Sequence, residues 1–88
     1  MARLEIHTFT IAPGIDEAEF RARDARMQEW CHLHRPGIRR RTTAIDGRNV
    51  VVVSLFDDAP DVPDESPATV REWRALVTDE SFSVYSLL

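Results

Sequence analysis

The sequence predicts an α+β domain with the element order β-α-β-β-α-β, a four-stranded antiparallel sheet carrying both helices on one face. Three observations lead there. Segments rich in β-branched and aromatic residues open and close the chain, RLEIHTFTI and SFSVYSLL. Two more flank Asp46-Gly47, a dipeptide suited to a tight hairpin. Between these strand pairs lie two segments whose apolar residues recur at helical spacing.

The first strand is expected over Arg3 to Ile11, ending at the Pro13-Gly14 turn. Its alternating faces, Leu4-Ile6-Thr8-Thr10 and Glu5-His7-Phe9-Ile11, are both partly apolar, as though each were covered. Asp16 is a suitable N-cap, and Glu17 and Glu19 place negative charge in the first turn of a helix. Phe20, Met27, Trp30, Cys31 and His34 share one stripe of that helix, which should run from about Glu17 to His34 and stop at Pro36-Gly37. Ile38 to Ile45 and Asn49 to Phe56 form the hairpin strands. The run Val50-Val51-Val52-Val53 in the third strand should be buried on both faces. After the polar connection DDAPDVPDES, Ser66 can cap a short helix with Pro67 at its first position, and Val70, Trp73 and Val77 supply its apolar side. Ser81 to Leu88 is the last strand, so that residues 1–88 make one domain. Two interleaved right-handed β-α-β units then give the ferredoxin-like plan.

Both helices on one face leave the other face open. At 88 residues, a chain buries only about 60 to 65% of the surface it exposes when unfolded. Covering the open face with the same face of a second copy would complete the core through a two-fold interface, so a homodimer is expected.

Net charge is -4 with a pI near 5.2, which gives no general attraction to phosphate backbones or anionic membranes. All eleven basic residues are Arg, a bias expected of a GC-rich bacterial genome. Cys31 is the only cysteine, the start MARLE lacks the order of a secretory signal, and no stretch is apolar enough to span a membrane. A cytoplasmic location follows as the expectation. Arg39-Arg40-Arg41 splits across two strand faces, Arg39 and Arg41 against Arg40, as on a charged edge strand. Valines stand in the third strand where RNA-binding sheets of this plan carry rings, so no nucleic-acid partner is expected.

The segments IAPGIDEAEF, RPGIRRRTT and EWRALV, in this element order, resemble the dimeric α/β-barrel superfamily, especially small proteins related to antibiotic-biosynthesis monooxygenases. The resemblance spans the whole chain and rests on strand, turn and helix ends. It implies a dimeric ferredoxin-like fold and an activity among cofactor-free oxygenases, polyketide cyclases or haem-degrading enzymes. Haem degraders of this group use a strand-one Asn, a Trp in the second half and a His soon after it. Here strand one carries His7, Trp73 matches loosely and no His follows His34, so no cofactor is expected.

Two residues are candidates for proton transfer. Asp24 lies about 40° from Phe20 and about 20° from Cys31 around the first helix, inside its apolar stripe. Burial would raise its pKa and make it a general base; an Arg, one of strand two for example, would instead hold it in a structural ion pair, or the edge of the stripe would bring it to water. His7 carries an imidazole suited to proton transfer and could meet Asp24 if its face is toward the helices; facing a partner sheet it would be a core or interface histidine. Phe20, Met27, Trp30, His34 and Tyr85 are candidates to line a pocket for an aromatic ligand between the first helix and the sheet, although such rings also serve as plain core. Cys31 and His34, three residues apart, lack the further ligands zinc needs, so no metal site is expected.

Two functions remain open on these residues. One is a small-molecule enzyme of the cofactor-free monooxygenase or cyclase kind, acting on an aromatic or polyketide-like substrate, with His7 and Asp24 moving protons. The other is a dimeric module that binds a small molecule without transforming it. The absence of a compact catalytic motif weighs toward the second.

Overall fold

The computed structural model describes residues 2–57 and 68–88. Its elements are β1 (Arg3–Ile11), α1 (Glu17–His34), β2 (Ile38–Asp46), β3 (Asn49–Phe56), α2 (Ala68–Arg74) and β4 (Val77–Ser86). The strands form one antiparallel sheet in the order β2-β3-β1-β4, the ferredoxin-like arrangement. Expected and observed bounds coincide for β1 and α1 and differ by one residue at the end of β2. The expected Ser66 cap and Pro67 position lie outside the described residues.

Local chemistry explains the breaks between elements. Asp16 caps α1, its Oδ1 accepting the Glu19 amide at 2.7 Å. At the other end the Arg35 amide donates to the Cys31 carbonyl, and Gly37 takes φ 78°, a left-handed conformation that spares a side chain strain. The β2–β3 hairpin closes on Gly47-Arg48, because Asp46 still pairs with Asn49. Gly47 there takes φ 62°, the positive value that a tight hairpin requires at its first central residue. Arg48 then folds back and donates to the carbonyls of Ile11, Ala12 and Ile15 at 3.1, 2.6 and 3.0 Å, tying the hairpin to the β1–α1 loop.

One sheet face is built for the helices. Phe9, Ile11, Val50 and Val52 from the sheet pack with Phe20 of α1, Trp73 of α2 and the following Leu76 and Val77 in a single core. The opposite face carries Leu4, Ile6, Val51, Val53 and Leu55, all partly buried, and no helix of the described residues crosses it. Within one chain, therefore, β3 is buried on alternate residues only, rather than on both faces. Arg40 lies on this second face, where its Nε donates to Thr42, while Arg41 is buried beneath α1. A shift of register between Ile38 and Arg40 breaks the simple alternation expected of the three arginines, and exposed Arg39 pairs with Asp57.

The last strand departs from the sequence expectation. It begins at Val77, four residues earlier than expected, so Val77 belongs to the sheet and not to the second helix. Helical spacing from Val70 through Trp73 misled here, because α2 ends at Arg74 and Val77 reaches the same core from a strand. Two residues of β4, Glu80 and Asp79, lie between the partners Ser81 and Thr78 where one residue of β1, Phe9, lies between Thr8 and Thr10, so β4 holds one extra residue. Asp79 sits at this bulge with φ 53°. The extra residue allows both Val77 and Glu80 to face the helices, which strict alternation would forbid.

Candidate functional site

Two neighbouring rungs of the sheet change character beside the apolar core. In one, Glu5, Ser54 and Arg41 lie side by side on β1, β3 and β2; in the next lie His7, Val52 and Thr43, with Phe82 of β4 beyond His7. Over them, between the C-terminal half of α1, α2 and β4, is a cavity of about 390 Å³. Met27, Trp30 and Cys31 of α1, Val70, Trp73 and Arg74 of α2, and Arg35, Glu80 and Phe82 complete its walls. Its size falls within the range typical of small-molecule sites.

His7 faces the helices. Its ring meets Phe9, Trp73 and Phe82 at centroid distances of 5.0, 5.4 and 5.9 Å. Its Nε2 lies 3.2 Å from Glu80 Oε2. A carboxylate accepts, so a neutral imidazole in this contact carries its proton on Nε2 and leaves the lone pair on Nδ1. A base held in this way by an acidic partner can take a proton from a ligand in the cavity.

The two buried carboxylates are engaged elsewhere. Asp24 Oδ1 accepts from Arg41 Nη2 at 2.8 Å and from Trp73 Nε1 at 3.2 Å, and Oδ2 accepts from Thr43 Oγ1 at 2.7 Å. It is the strand-two arginine pair, not His7, that Asp24 meets; Trp73 stands between the two. Glu5 accepts both terminal nitrogens of Arg35, at 3.1 and 3.4 Å, and Arg3 Nε at 3.0 Å. The Arg3 and Arg35 guanidiniums stack over Phe56 at 4.7 and 4.5 Å from its ring centre, a cation–π pairing that closes this end of the core. Among the described residues no buried side-chain nitrogen or oxygen lacks a hydrogen bond. Burial pushes the Cys31 thiol pKa up, against the opposing pull of Arg41 and Arg35.

Of the pocket candidates, Met27 and Trp30 line the cavity, and Phe20 does not. Phe20 is fully buried in the core, against Phe9 at 5.8 Å. His34 is exposed and outside the cavity lining, its ring tilted against that of Trp30 at 5.4 Å. Tyr85 pairs with Leu4 in register and so points from the opposite face, 55% exposed. Strand alternation decides this once the register is known. Glu80, Phe82, Glu5, Arg35 and Arg41 were not singled out as site residues by sequence. Glu5 was the most accessible to such reasoning, two residues from His7 on the same strand face; Glu80 was hidden by the bulge. Among the described residues no three His, Cys, Asp or Glu are grouped to hold a metal ion, and no helix is long and apolar enough to cross a membrane.

No family model matches the chain, and no curated protein matches it in sequence. Solved structures match it in fold. Rv0793 from Mycobacterium tuberculosis superposes with a TM-score of 0.70 at 20% identity, over 100% of this chain and 96% of that one. A Bordetella bronchiseptica protein named as a candidate antibiotic biosynthesis monooxygenase gives 0.71 at 21% identity, over 99% and 97%. A Chloroflexus aurantiacus protein of the same description gives 0.59 at 17% identity, over 98% and 94%. The chain thus shares, from end to end, the ferredoxin-like fold of proteins named as antibiotic biosynthesis monooxygenases, the fold its sequence resemblance implied.

Proposed function

We propose that the protein is a small-molecule enzyme of the cofactor-free monooxygenase or cyclase kind, acting on an aromatic or polyketide-like substrate in the cavity between α1 and the sheet. The observation that carries this reading is His7, held by Glu80 at 3.2 Å and opening on a cavity walled by Trp30, Met27, Trp73 and Phe82. Nδ1 of His7 takes a proton from an activated carbon of the substrate, and Arg35 and Arg41 on the wall favour the negative charge that develops. In a cyclase the carbanion attacks a carbonyl of the same molecule. In an oxygenase it gives its electrons to dioxygen and forms a carbon–oxygen bond; the peroxide takes back the proton, and loss of water leaves a carbonyl. Asp24, engaged on both oxygens and absent from the cavity wall, is not assigned to proton transfer in this reading.

A panel of hydroxylated aromatic ketones, followed by oxygen uptake and product mass, tests the proposal. His7→Gln should lower turnover by about a hundredfold or more, with the circular dichroism unchanged. Equal rates for the variant and the parent would remove His7 from the reaction. A second reading, binding without turnover, is favoured by the sealing of Glu5 and Asp24 in ion pairs. Tight retention of an aromatic ligand that emerges unaltered would select it.

The same proposal includes a homodimer through the open sheet face. What supports it is the partly buried run of Leu4, Ile6, Val51, Val53 and Leu55, apolar surface that a single chain leaves in water.

A further inference from the structure

Asp24, Trp73 and His7 belong to three different elements and form one line of contact. Trp73 is 3% exposed, and its Nε1–H donates to Asp24 Oδ1 at 3.2 Å. A buried indole N–H without an acceptor is costly, and turning the ring over would carry this one away from Asp24. The carboxylate thereby selects one orientation of the indole. On its other side the indole packs against the His7 imidazole, 5.4 Å between centroids at 49°, and against Phe9 at 5.0 Å. The ion pair with Arg41 does not account for this, since Arg41 also donates to Gln28 and Thr43 and would stay anchored without Trp73.

We propose that Asp24 is a positioning residue for His7, acting through Trp73. Its oxygen fixes the indole, and the indole fixes the plane of the imidazole while Glu80 holds Nε2. The catalytic consequence rests on the reading of His7 as the proton-transfer group; the geometric one does not. What the indole needs from position 24 is an acceptor, not a charge. Asp24→Asn keeps an acceptor oxygen, whereas Trp73→Phe removes the donor and leaves the Asp24–Arg41–Thr43 cluster in place.

Two readouts test this, one of them independent of turnover. In histidine-labelled protein the His7 imidazole should give single, sharp nuclear magnetic resonance signals in the parent and in Asp24→Asn, and broadened or doubled signals in Trp73→Phe. On a turned-over substrate, Trp73→Phe should lose about tenfold in kcat, as a misplaced catalytic group does. Asp24→Asn should stay within about threefold of the parent in kcat. Single sharp His7 signals in Trp73→Phe, or a folded Asp24→Asn without turnover, would overturn the proposal, the latter by making the charge the working part. Should Trp73→Phe fail to fold, solvent exchange of the indole N–H decides in the parent protein: slower at Trp73 than at Trp30 supports the anchored indole, and equal rates overturn it. If His7→Gln retains full turnover, the functional reading falls, and the His7 signals still test the positioning.

Discussion

Cys31 lies on the cavity wall with its thiol pKa raised by burial, because the thiolate would lose its hydration there. A raised pKa means less thiolate at neutral pH, so Cys31 should react with a disulfide reagent at least about tenfold more slowly in the native protein than in denaturant. Labelling rates followed by absorbance check this, and equal rates would contradict the burial. The sign for stability follows from linkage. The contribution of the protonated thiol is complete below the pKa of the unfolded chain and is lost as pH rises from there through the folded pKa. At this scale the sequence was informative about Asp24, a carboxylate inside an apolar stripe, and offered an arginine of the second strand as its partner. It could not supply Trp73 as a further donor, because that contact joins residues 49 positions apart.

Among the elements, β4 owes its placement to a single residue. Asp79 in the left-handed region carries a steric cost that glycine lacks, so Asp79→Gly should hold or raise stability, by up to about 1 kcal/mol in chemical unfolding. Deleting Asp79 should have the opposite effect. Restored alternation would turn either Val77 out of the core or Glu80 away from His7, with loss of stability or of turnover respectively. A deletion variant with both intact would show that the bulge does not set the face. A bulge leaves no periodic signal, so in the sequence Val77 reads as helical and nothing marks the face of Glu80. The first helix was legible because its cap, its acidic first turn and the Pro36-Gly37 stop agree with one another.

For the whole molecule, the open sheet face makes the assembly testable. Val53→Arg places a charge at the middle of that face, on the side away from the cavity, and should convert a dimer to a monomer in native mass spectrometry. A parent protein that is already monomeric at micromolar concentration would refute the shared-sheet arrangement. The six-element order was legible from turns and alternation because those are local signals. Which strand face met the helices was not, since both faces of β1 read as partly apolar.

The rung of Glu5, Ser54 and Arg41 occupies the place where further aliphatic residues would most readily extend the interior. Folding draws on one part of the helix-facing surface, from Phe9 and Val50 to Ile11, and the cavity on the part beside it. This division gives the chain a form of latitude. Except at Val52 and Trp73, which serve both parts, side chains around the cavity can be exchanged, and its selectivity moved, while the segment that secures the fold is left untouched.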